Sequence, residues 1–206
     1  LLDAADCFGA EHNALVSALA GYNLLAAGRL EDALRVFRSV AEAHPDELIG
    51  WEGLRAVGEA SGDRVLVAES SASLGDAVSD AARGAELWEQ TALILIDELN
   101  DTGRGEFALS RAVERDVTRF VAFDRLFRLV RARKDDPRLL ELISKRLEVA
   151  EDPEEIVKLF WERARVLRQS GDREGALAAL ENVTMLEPDH VGALALSGEI
   201  CITTGQ

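Results

Sequence analysis

The sequence predicts an all-α chain, a right-handed α-solenoid of antiparallel helix-turn-helix repeats. Three observations carry this: punctuation that recurs at a period of 34 residues, apolar residues spaced at three and four between the marks, and the lack of any sustained strand alternation. The recurrence is plainest where GRLEDALRVFRSVAEAHPDE, 28–47, is laid on GDREGALAALENVTMLEPDH, 171–190. Gly28 and Gly171, Ala33 and Ala176, Leu34 and Leu177, Val40 and Val183, and Pro45 and Pro188 then coincide. Glycines that follow apolar helical stretches fall at Gly28, Gly62, Gly103, Gly171 and Gly205, at intervals of 34, 41, 68 and 34. The interval of 68 is two periods, and near its missing mark the chain reads Lys134-Asp135-Asp136-Pro137, another helix breaker. The interval of 41 carries seven extra residues, roughly two helical turns.

Each mark has a physical reason. Gly28, Gly62, Gly103 and Gly171 are expected to supply the left-handed backbone that ends the first helix of a hairpin. Ala33, Ala108 and Ala176 follow their turns by five residues, where a small side chain lets the second helix approach the first. Gly21, seven residues before Gly28, does the same on the first helix. Pro45 and Pro188 stop the second helix, because proline lacks an amide donor and clashes with the preceding turn. Between marks, Leu30, Ala33, Leu34, Phe37, Val40 and Ala41 form one helical face.

With Trp51 and Leu54 early in a unit, the small residues Gly21 and Ala33, the aromatic Phe37, and the closing Pro45 and Pro188, the chain resembles the tetratricopeptide repeat family. The resemblance covers nearly the whole chain and is strongest over 14–47 and 157–190. It departs from the pattern at Val67 and Leu140, which stand where alanine is expected, in the overlong segment 63–101, and in units two and three, which no proline closes. The repeats are read as 14–47, 48–82, 83–117, 118–152 and 153–190. Residues 1–13 read as the tail of a preceding helix, and 191–206 as the first helix of a sixth unit in a longer parent protein.

Composition narrows the function. The chain has 206 residues, 48% of them hydrophobic, with 38 acidic against 23 basic residues for a net charge of −15. That charge repels phosphate backbones and opposes a nucleic-acid interface. The longest nearly continuous apolar run, Ala92 to Ile96, is far below the ~20 residues that span a bilayer, so no membrane insertion is expected. Cys7 and Cys201 stand at opposite ends and read as small buried hydrophobes. The expected compartment is the cytoplasm, with the periplasm an alternative because the parent N-terminus is missing.

No enzymatic constellation, cofactor fingerprint or metal-ligand spacing is present, so catalytic, cofactor and metal sites are all read as none. His44 and His190 lie beside the closing prolines, where a cation complements the dipole at a helix C-terminus. Asp135-Asp136 and Glu154-Glu155 read as dipole partners at helix starts.

What remains is a surface. In the family the first helices line a concave groove that receives a peptide or a partner's helix, which implies a non-catalytic protein-binding scaffold within a larger bacterial assembly. The alternative is a regulatory or docking module of a larger enzyme or signalling protein. Phase maps Leu15, Ala18, Tyr22 and Leu25, then Glu52, Ala56 and Glu59, then Gln90, Leu93 and Asp97, to the groove. Its last set is Lys158, Trp161, Arg165 and Arg168, on one helical face. Two readings of that set stand: a hot spot for an acidic or C-terminal segment, or a Trp packed into the neighbouring hairpin with its cations paired to Glu154, Glu155 or Glu162. The clamp by which chaperone-binding relatives hold a terminal carboxylate is not matched, since Ala18, Tyr22 and Gly53 occupy its positions.

Overall fold

In the computed structural model, residues 10–204 are described. Cys7, Gly205, the side chain of His12 and most of the expected N-terminal tail lie outside the described residues. Eleven α-helices and no strand occur among them: α1 Ala10–Ala26, α2 Leu30–Ala43, α3 Leu48–Ser61, α4 Arg64–Ala77, α5 Ala81–Leu93, α6 Thr102–Arg115, α7 Phe120–Arg133, α8 Asp136–Leu147, α9 Pro153–Ser170, α10 Arg173–Leu186 and α11 Val191–Thr204. A π-helical turn, Ile94–Glu98, prolongs α5. The fold is all-α and built of helical hairpins. The chain forms two compact units, Leu1–Phe123 and Asp124–Gln206.

The hairpin turns follow a frame that differs from the glycine frame at one point. Gly28, Gly62 and Gly171 have φ of +72°, +76° and +86°, as expected of helix-ending glycines. Gly103 does not share this role. It sits in the first turn of α6, and the left-handed residue there is Asn100, φ 54°. At the gap in the series the left-handed residue is Lys134, φ 57°. Asparagine is the commonest substitute for glycine in this conformation, so the glycine rule skipped a legitimate turn residue.

The stretched interval has a visible cause. At Gly28 and Gly171 the next amide reaches back five residues, Arg29 N–H to the Leu24 carbonyl at 2.9 Å and Asp172 N–H to Leu167 at 2.9 Å. At Asn100 the π turn widens the loop, and Asp101 N–H bonds the Leu95 carbonyl at 2.7 Å, six residues back. Counting α5 with its π turn, the first helix of that hairpin is longer than α3. The residue after each turn then caps the second helix: Asp63, Asp101, Asp135 and Asp172 accept the amides of Leu66, Arg104, Arg138 and Gly175.

Five residues beyond each left-handed residue stand Ala33, Val67, Gly105, Leu139 and Ala176, all buried. The corrected frame therefore puts Gly105, rather than Ala108, at the close contact, though Ala108 is also fully buried. Leu139, rather than Leu140, is the departure from alanine. Two of these positions are complemented across the turn. A Cβ on Gly58 would lie 2.8 Å from the Val67 Cγ2, and one on Gly105 would lie 2.3 Å from the Ile96 Cγ1. The large side chain thus alternates sides while the helices keep their separation.

In the first unit Phe37 is wholly buried, and a Cβ on Gly21 or Gly53 would come within 2.8 or 2.0 Å of its ring. Three helices therefore meet on one aromatic. Trp51 donates its indole N–H to the Pro45 carbonyl at 2.9 Å, tying the closing turn of α2 to α3, and Leu54 joins the same core. Both prolines sit in four-residue turns closed by Glu47 N–H to His44 and His190 N–H to Glu187. In the second unit Ala176, Ala179, Leu180, Val183, Ala193 and Ile200 knit α10 to α11.

Candidate partner-binding face

In the first unit α1, α3 and α5 are the first helices of successive hairpins, and α1 also packs directly on α3. The side chains this face offers begin on α1 with Leu15, 61% exposed, Leu19, 55%, and Tyr22, 36%. Their spacing of four and three makes one helical stripe. Ala18, which phase had assigned to the groove, is fully buried in the core, and Leu19 takes its place. The error is one residue, about 100° around a helix. Tyr22 meets Phe37 edge-on with ring centroids 4.8 Å apart. Burial, and secondarily the Glu52 carboxylate, push its phenol above the ordinary value. The expected groove residues Tyr22 and Glu52 are thus brought together.

Between α3 and α5 lies a cleft of about 380 Å³. Leu74, Val78 and Leu87 contribute its apolar walls, and Glu52, Ala56 and Glu59 one rim. Glu59 is joined to Arg55 at 3.3 Å, and Arg83 turns to Glu86 at 2.6 Å. Glu52 is exposed and has no ionic partner among the described residues. Arg55 and Arg83 were not singled out from the sequence. Their only signal was the i,i+4 spacing to Glu59 and the i,i+3 spacing to Glu86.

The other expected set lies in the second unit and is differently placed. Trp161 is half-buried, with its ring 5.1 Å from the His190 ring, and a Cβ on Gly192 would lie 3.1 Å from it. It packs on the core shared by α9, α10 and α11. Lys158 lies 3.8 Å from Glu154, Arg165 bonds Glu162 at 2.9 Å, and Arg168 bonds Glu199 on α11 at 2.5 Å. Of the two readings of this set, the packing one describes these contacts. His190 also departs from its assigned role: its Nδ1 accepts the Ala193 amide at 3.0 Å, so it serves the start of α11 and not the end of α10. His44 does close α2, with its ring 3.7 Å from Glu47.

Two polar networks escaped the sequence reading. Glu89, 8% exposed, takes both Arg119 nitrogens, at 2.7 and 3.3 Å, and the Ala122 amide, fastening the start of α7 to α5. Asp76 accepts from the Trp88 indole at 3.2 Å and from Arg111 at 2.6 Å. Both are contacts 12 to 35 residues apart that no local pattern announces. Among the described residues no group of three or more His, Cys, Asp or Glu is arranged to hold a metal ion, and no helix is long and apolar enough to cross a membrane.

The chain matches no family model and no curated protein. Solved structures do match it. YrrB, a TPR protein with an unusual peptide-binding site, is 18% identical, over 87% of this chain and 89% of that one, with a TM-score of 0.40. The C-terminal part of a TPR repeat-containing protein from Cytophaga hutchinsonii is 15% identical, over 89% and 69%, at 0.45. A thermophilic TPR protein of Thermus thermophilus is 14% identical, over 92% and 99%, at 0.38. The structures it resembles are thus of the tetratricopeptide type. The likeness is one of fold, and the hairpin architecture itself rests on the helices and turns described above.

Proposed function

We propose that this chain is a non-catalytic scaffold that receives a segment of another protein on the first-helix face of its first unit, within a larger assembly. The observation that carries this reading is the continuity of an exposed apolar stripe, Leu15, Leu19 and Tyr22, with a neighbouring cleft whose floor is apolar and whose rim is charged. Such a surface offers anchor sites without a reacting group. Covering Leu15 and Leu19, each more than half exposed, would contribute about 1 kcal/mol apiece. A handful of such anchors with a polar rim is the usual energetic pattern of a specific interface.

Selection of peptides from a random displayed library against the purified chain tests this. Ala56 lines the cleft and is half-buried, so Ala56→Arg should fill the cleft and abolish binding of the selected peptides while helicity and melting are kept. Peptides that bind the variant as they bind the parent would count against the face.

A further inference from the structure

The expected ligand was acidic, yet the charges on the face point the other way. Resting on the first-helix reading above, we infer that the segment received there is an amphipathic, cationic one: apolar side chains along Leu15, Leu19 and Tyr22, and a Lys or Arg reaching Glu52.

The first ground is the state of each charge on the face. Its two arginines are already engaged, Arg55 by Glu59 and Arg83 by Glu86. Glu52 has no cation, although it is exposed and stands beside the Tyr22 ring. An incoming carboxylate would meet an uncompensated anion and two arginines that must first leave their partners. An incoming ammonium or guanidinium would meet a free carboxylate and an aromatic edge in one place. The second ground is the field around the face. Residues 1–123 hold 22 acidic and 10 basic residues, a balance of −12, whereas residues 124–206 hold 16 and 13, a balance of −3. The long-range potential at the first unit therefore draws cations and slows the approach of anions. The third ground is the set of cations that would hold an acidic peptide. Lys158, Arg165 and Arg168 each face a glutamate of their own unit.

The apolar stripe fixes the rest of the chemistry. A polyvalent cation alone would satisfy Glu52 and leave Leu15 and Leu19 wet. A segment with apolar residues on one side and basic ones on the other covers both, and a helix does so at the three-and-four spacing the stripe itself has.

Three synthetic peptides, each about 18 residues or five helical turns long, test this by fluorescence anisotropy: one of Leu, Ala and Lys, its counterpart with Glu for Lys, and one of Ser, Ala and Lys. The Leu-Lys peptide should bind at least about tenfold more tightly than either of the others, and weaken as salt rises. Glu52→Lys should cost it about tenfold and improve the Leu-Glu peptide, while Glu199→Lys in the second unit changes neither. Equal or tighter binding of the Leu-Glu peptide, equal binding of the Ser-Lys peptide, no binding of any, or indifference to Glu52→Lys would each overturn the inference. Library peptides that Ala56→Arg abolishes would in all those cases leave the first-helix face standing, so the two readings fail separately.

Discussion

The two units use the same hairpin and end with different surfaces. In the first, Leu15, Leu19 and Tyr22 stay on the outside of α1, and α3 and α5 leave a cleft with one uncompensated carboxylate. In the second, the aromatic at the centre of the first-helix face, Trp161, is covered by His190 and Gly192, and Arg168 reaches a glutamate on α11. The lesson is that a tryptophan among cations on one helical face does not by itself mark a binding hot spot. Whether it does depends on what the following helix brings, and here α11 brings a ring, a glycine that leaves room, and a counter-charge.

The strongest way to break this comparison is to disturb the contact that sets each hairpin. Ala176, fully buried between the second unit's helices, should not tolerate arginine: Ala176→Arg combines overpacking with a buried charge and is expected to cost about 4 kcal/mol. In the first unit Gly53→Leu drives a side chain into Phe37 and should cost about 3 kcal/mol. Thermal melts followed by circular dichroism check both, and a variant that melts like the parent would show that the helix phases are misassigned. Next in size is Trp161→Ala. If the ring is packing and not a receiving surface, its loss should destabilise by about 2 kcal/mol, less than a fully buried Trp, and leave binding of first-unit peptides unchanged. Unaltered melting with lost binding would reverse the assignment of the two faces.

The smallest effect concerns acid. Glu98 is held below the ordinary carboxylate range by Arg64, Asp32 by Arg29 and Arg35, and Asp101 by the Arg104 amide and guanidinium, all in the first unit. In the second unit Glu141 is lowered by Lys145. Carboxylates so depressed stabilise the fold above about pH 4, and the contribution is lost as pH falls through the lowered values. All four are exposed, so the effect is modest. On titration below about pH 4, fluorescence of Trp51 and Trp88 should change before that of Trp161. Asp101→Asn, which keeps a capping side chain, should flatten part of this acid limb. Simultaneous change of all three indoles would remove the distinction.

Much of the fold was legible because it is local. Gly28, Gly62 and Gly171, the prolines after α2 and α10, and the buried Ala33 and Ala176 all announce themselves within a few residues of the turn they serve. The frame slipped at Gly103 because a π turn and an asparagine did the work that a glycine rule assigns to glycine. A better signal was present: an aspartate follows the turn residue at Gly62-Asp63, Asn100-Asp101, Lys134-Asp135 and Gly171-Asp172, and each one caps a helix. Val67 looked like a departure because its compensation, Gly58, lies on the other helix. The candidate face was half legible. Helical phase found Tyr22, Glu52 and Glu59, but it misplaced Ala18 by one residue and had no means of deciding Trp161, whose surroundings come from a helix thirty residues on.

The most direct test of the central claim, that the receiving surface is the first-helix face of the first unit, is to titrate a library-selected peptide into the isotopically labelled chain and follow its backbone amides by NMR. The account predicts that amides of residues 15–22 and 52–59 shift with saturation while those of 158–168 stay in place. Shifts centred on 158–168, with 15–22 and 52–59 unmoved, would contradict it.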